Sequence, residues 1–119
     1  MKIFNTIDLI RMENPTPGER YRLDLITENL KAKKVAGIFV ILPKEKHVPY
    51  HYHDKRESLI LILNGTGMLK VENEEFSVKA GDVIFMPTNE KHMLFNKSEE
   101  YLRFIECYTP IDKDFVEII

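Results

Sequence analysis

Apolar residues fall in short runs separated by polar turns. "KKVAGIFVILP" (33–43) and "ESLILIL" (57–63) are closed by Pro43 and by the turn "NGTG", the pattern of buried strands. In the second run Leu59, Leu61 and Leu63 share one face, and Ser58, Ile60 and Ile62 share the other. A strand with one wet face would show polar residues there. This strand is therefore expected to be covered twice, by a barrel interior and by another layer or subunit. "MLKVE" and "FSVK" flank "NEE" as a hairpin, "KAGD" is a turn, and "VIFMP" is a strand ended by Pro87. "HMLFN", "KSEE" and "YLRFIECY" read as a final hairpin. Upstream, "ENPTPGER" is a loop and "YRLDLIT" alternates like a strand. Strands recurring roughly every ten residues predict an all-β sandwich or small barrel. No long segment carries the apolar period of a helix. The tail "TPIDKDFVEII" is expected to form one helical turn capped by Asp112.

Length and composition narrow this picture. A chain of 119 residues supports one domain, here residues 1–119. The core barrel is expected over about 33–109, with the segment 1–32 and the tail 110–119 packing on it or on a dimer partner. The net charge is -2, with cations dispersed among acids, so no basic face predicts a nucleic-acid partner. No apolar run has the length of a membrane span, and "MKIFNTIDLI" lacks the features of a secretory signal. A lone cysteine, Cys107, excludes an internal disulfide and suits a reducing cytoplasm. No base is spaced to activate it, so it reads as a packing residue. Gln and Trp are absent while Lys, Glu and Ile abound, a thermophile-like balance. Ile3, Phe4, Ile7, Leu9 and Ile10 near the start, Phe115, Val116, Ile118 and Ile119 near the end, and "LILIL" all need cover. They predict a homodimer.

The chemistry concentrates in "PYHYHDKRES" (49–58). On an extended strand His51 and His53 share a face, with Tyr50 and Tyr52 opposite. Two imidazoles so placed can ligate one metal, and Glu57 follows a short turn that can return a carboxylate to the same region. The competing reading is a polar loop that happens to contain two histidines.

A second stretch, "GDVIFMPTNEKHMLFN" (81–96), contains His92 at the start of a strand. Together the two stretches resemble the paired motifs of the cupin superfamily. His51, His53, Glu57 and Gly65 follow the first motif; Gly81, Pro87, His92 and Asn96 fall at the spacing of the second. The motifs cover 45–65 and 81–96, and the surrounding strands fit the same fold. Three positions depart from the pattern. Seven residues separate Glu57 from Gly65 where the family has six, so the usual spacing lands on Ser58 and Glu57 needs a bulge to point inward. Asn89 and Glu45 stand where the family has glycine, and Asn tolerates the same turn geometry.

The resemblance implies a double-stranded β-helix, or jelly-roll, whose interior holds one divalent transition metal on His51, His53, Glu57 and His92. Mn, Fe, Co, Ni and Zn are not distinguished by such ligands. With Glu57 bound, the site carries about one unit of positive charge and favours an anionic oxygen donor. The family includes dioxygenases, decarboxylases, isomerases and non-catalytic binders, so fold alone does not select. The leading expectation is a small metal-dependent enzyme, of dioxygenase or isomerase type, acting on an oxygen-rich chelating metabolite. A non-catalytic small-molecule or sugar-binding module and a metal-free barrel for protein association are the alternatives. His47 reads as a surface residue. Strand parity leaves open whether Glu106 faces the cavity, and no general base is identifiable beyond the ligands.

Overall fold

The computed structural model describes all 119 residues. A short helix, α1 (Thr6–Arg11), precedes ten strands. In chain order these are β1 (Tyr21–Ile26), β2 (Ala36–Leu42), β3 (His47–Tyr52), β4 (Glu57–Asn64), β5 (Thr66–Val71), β6 (Glu74–Lys79), β7 (Val83–Met86), β8 (His92–Phe95), β9 (Leu102–Thr109) and β10 (Val116–Glu117). One antiparallel sheet runs β1-β2-β9-β4-β7 and the other β10-β3-β8-β5-β6. Inward residues of both, among them Val40, Ile62, Phe104, Leu69 and Leu94, form one buried core. This is the expected all-β jelly-roll. No helix is long and apolar enough to cross a membrane.

The expected final hairpin is not formed. β8 pairs with β3 and β5, whereas β9 pairs with β2 and β4. β9 is the central strand of its sheet, so both of its edges are taken and none is left for β8. The chain crosses between sheets through Asn96, which is fully buried. Its Nδ2 donates to the carbonyls of Leu42 and Glu100, both at 2.8 Å, and its Oδ1 accepts from the Ser98 amide and hydroxyl at 2.9 and 2.8 Å. An extended loop is thus held where no ladder can satisfy its polar groups.

The outer face of the first sheet is covered in part by α1. Leu9 and Met12 pack on a second small core of Leu25, Phe39 and Ile41, the other layer that the doubly apolar strands required. Asn5 caps the helix, its Oδ1 accepting from the Ile7 and Asp8 amides. Six residues are too few to show a period in sequence. Farther along the same face Leu59, Val83 and Phe85 stay about half exposed or more.

The tail forms no helical turn. Val116 and Glu117 pair with Tyr52 and His51, and the Ile118 amide donates to the Tyr50 carbonyl at 2.9 Å. The backbone donors of the tail find partners along β3 instead of within a helix. Asp112 caps nothing there; its carbonyl accepts from Arg56 Nη2 at 3.1 Å.

Candidate metal centre

Three imidazoles meet inside the barrel. The pairing of β3 with β8 is irregular between Val48 and His51. That irregularity shifts the strand's parity, so Val48 and His51, three apart, both face the cavity. His51 lies opposite His92 in the ladder, and His53 follows just beyond the end of β3 on the same side. All three are buried. Their ligand atoms lie within 4.8 Å of one another.

The hydrogen bonds fix which nitrogen carries the proton. His51 Nδ1 meets the Pro49 carbonyl at 2.6 Å, His92 Nδ1 meets the Glu90 carbonyl at 2.8 Å, and His53 Nδ1 meets the Asp114 carbonyl. A carbonyl only accepts, so each Nδ1 must donate, and each Nε2 is left with a lone pair. His51 Nε2 and His53 Nε2 are 3.2 Å apart. With both Nδ1 atoms protonated, no hydrogen lies between them in the neutral rings, and two lone pairs face each other. Two imidazole nitrogens bound at about 2.1 Å to one ion, roughly 90–109° apart, would be separated by roughly 3.0–3.4 Å. The spacing of this pair and the chemistry of all three donors therefore fit a metal, and the three histidines could hold one.

Electrostatics favour the ligand form. Burial, and next the neighbouring His92 imidazole, push the His51 pKa down to about 3. Burial likewise lowers His92. Desolvation disfavours the charged imidazolium, so the rings of His51 and His92 stay neutral with nitrogens available. The carbonyl contacts orient them in the manner of the outer partners of metal-bound histidines.

Glu57 does not join them. It is exposed at the start of β4, opposite Thr109, and its place on the inner face is taken by Ser58, which is buried with its hydroxyl unpartnered. The irregularity that β4 does contain lies at Ile62/Asn64, the far end of the strand, so it cannot rotate Glu57 inward. Glu106, left undecided by parity, does line the cavity, on the same face as Phe104 and Tyr108. Its charge is felt by His92. Cys107 on the opposite face has its thiol pKa raised by burial, which suits packing. His47 is exposed, as expected.

The tail supplies parts that sequence reading missed. Besides the carbonyl on His53, Asp114 offers its carboxylate to the amides of Asp54, Lys55 and Arg56 at 2.9, 2.6 and 2.9 Å. Burial opposes ionisation of this carboxyl, but those amides outweigh it and hold its pKa below the ordinary value. Phe115 stacks on His51 with ring centroids 4.0 Å apart. These contacts join residues about sixty apart through backbone groups, which residue types do not announce. The cavity beneath has a volume of about 580 Å³, the size of small-molecule sites. Its deeper wall is apolar, from Ile38, Val40, Leu69, Leu94 and Phe104.

Residues 37–108 match the cupin domain family. Over 122 aligned residues the chain is 31% identical to the uncharacterized protein MJ1618 of Methanocaldococcus jannaschii, covering 100% of this chain and 97% of that one. Among solved structures it resembles a conserved protein with a double-stranded β-helix domain from Klebsiella pneumoniae, with TM-score 0.82 and 16% identity, covering 100% and 98% of the two chains. It also resembles a predicted oxalate decarboxylase from Thermotoga maritima, with TM-score 0.71 and 25% identity, covering 79% and 83%.

Proposed function

Because the chain belongs to the cupin family, and because its buried imidazoles have their proton positions set by the backbone, we propose a metal-dependent enzyme acting on a small oxygen-rich metabolite. One observation carries this reading. Three Nδ1 groups are each held by a carbonyl, so that three Nε2 lone pairs converge in the cavity between the two sheets. His51, His53 and His92 would hold one divalent transition ion. Such an ion supplies Lewis acidity toward an oxygen donor. With Glu57 outside, three neutral ligands leave its full double charge in place, which favours an anionic oxygen such as a carboxylate or enolate.

The chain's own groups do the rest. The apolar wall lowers the local dielectric around a bound molecule and so strengthens charge interactions there. Glu106 faces the same space and forms no salt bridge. It is placed to take a proton from a bound metabolite and return it at another atom, the work of a general base. This favours isomerase-type proton transfer over oxygenation.

Elemental analysis of protein purified without a chelating tag tests the centre. About one equivalent of metal is expected in the wild type and none in His51→Ala or His92→Ala. Equal metal in all three removes the reading. Incubating loaded protein with hydroxy and oxo acids in deuterated water then tests the chemistry. Deuterium exchange that Glu106→Gln abolishes without loss of metal is expected; binding without exchange would make the protein a non-catalytic module.

The exposed strip of Leu59, Val83 and Phe85 lies on β4 and the edge strand β7. A second copy presenting the same strip would cover it by two-fold symmetry, giving a homodimer in a reducing cytoplasm. Light scattering should give the mass of two chains, reduced to one by Phe85→Glu.

A further inference from the structure

The mouth of the cavity carries cations in excess. Arg20 just before β1, Arg22 within it, Arg56 before β4 and Lys113 in the tail all line it, against the carboxylates of Glu106 and Asp114. Asp114 is occupied by the three amides of residues 54–56, and Glu106 lies further along the inner face of β9 than Tyr108, its charge felt at His92. Arg22 has one partial partner, Asp24 at 3.4 Å, in a pair that is mostly exposed. Arg20, Arg56 and Lys113 take part in no salt bridge.

Arg56 is the most constrained of these. Its guanidinium lies 3.8 Å from the centre of the Tyr108 ring, and its Nη2 is held by the Asp112 carbonyl. Its Nε is enclosed without a hydrogen-bond partner. Tyr108, itself buried, also meets Arg22 Nη2 through its hydroxyl at 3.4 Å. A phenol thus joins two guanidinium groups at one rim of the cavity. No carboxylate pairs with this guanidinium, and stacking on an aromatic face orients it without neutralising it. An anion in the cavity neutralises it.

We infer that this rim is a carboxylate-binding subsite anchored by Arg56, with Arg22 beside it, and that the ligand is an organic acid with an apolar body. The planar fork of an arginine matches a carboxylate. The apolar wall takes the body of the molecule, and Glu106 on the same wall disfavours a doubly charged phosphate. The assignment rests on the cavity being the substrate site of the proposed enzyme, yet it requires no metal.

Calorimetry on metal-stripped protein tests it, so that failure of the metal centre leaves the outcome intact. The probes share one body: 3-phenylpropionate, its neutral amide, 3-phenylpropylamine and 2-phenylethyl phosphate. The acid is expected to bind about 10- to 100-fold more tightly than the amide, the worth of a charge-assisted contact, and the amine more weakly than either. Arg56→Gln should erase the preference for the acid while leaving the amide's affinity unchanged, and Arg22→Gln should reduce it in part. Should Arg56→Gln fail to fold, the wild-type comparison still decides. Equal affinity for acid and amide, no binding of the acid at millimolar concentration, tighter binding of the phosphate, or equal weakening of acid and amide by Arg56→Gln would each overturn the inference.

Discussion

His51 and His92 are oriented by their near neighbours in the chain; His53 is oriented from its far end. The first two rings donate to carbonyls only two residues upstream, those of Pro49 and Glu90. The third donates to Asp114, 61 residues away, in a tail tied down by the amides of residues 54–56 and by β10. Two of the donors are thus set by local backbone geometry, and the third only when the tail docks. Such outer contacts commonly matter 10- to 100-fold in metal affinity, so the completeness of the centre depends on its last ten residues.

That contrast can be broken from either side. Removing a local donor with His92→Ala should abolish stoichiometric metal, the largest effect. A chain ending at Thr109 keeps every imidazole but loses the anchor of His53, and metal affinity should fall about 10- to 100-fold. Competition with a chromogenic chelator measures both, and an unchanged affinity in the shortened chain would remove the tail's role. Acid should act next. The His51 pKa falls from 6.5 to about 3 in the native chain. Between those values the unfolded chain binds a proton that the folded one does not, so stability must decline as pH falls through that window and level off below it. Asp114, lowered from its ordinary 3.8, adds stability that is present above that value and is lost as pH drops through its folded pKa. The urea midpoint of metal-free protein should therefore be lower at pH 4 than at pH 7, and His51→Leu should flatten the trend.

Smaller changes sharpen the picture. Glu45 has φ of 65°, in the left-handed region that favours glycine. Glu45→Gly is expected to stabilise by about 1 kcal/mol or less, since relief of strain is partly offset by added backbone entropy. Chemical denaturation would show it. Glu57→Gln should leave metal content unchanged, and a loss of metal would return Glu57 to the centre.

Much of this was legible from residue order. Parity alone put His51 and His53 on one face, and the apolar runs located the strands of both sheets. Asn89 stands with φ of 65° where the family motif has glycine, and its amide donates to the His53 carbonyl at 2.7 Å. The outward turn of Glu57 was foreshadowed in the spacing, since six residues before Gly65 leave Ser58, the residue found on the inner face. What did not show was non-local. Arg103 lies on the outer face of β9, its Nη2 donating to the Met12 carbonyl at 2.8 Å, while Glu106 shares the inner face with Phe104 and Tyr108. That β8 and β9 part company depends on which neighbours saturate β9, and a strand's own residues do not name its partners.

The amide of Asn96 has a consequence for how the molecule ages. Its nitrogen faces two carbonyl oxygens at 2.8 Å, a place that only a donor can fill. Hydrolysis of that side chain to aspartate would set an acid against both, in a spot solvent cannot reach to soften the repulsion. Spontaneous deamidation, harmless at many surface asparagines, would here unpick the crossing between the sheets, and the same hydrogen bonds that make the damage severe restrain the side chain from the cyclisation onto the next backbone nitrogen that starts it.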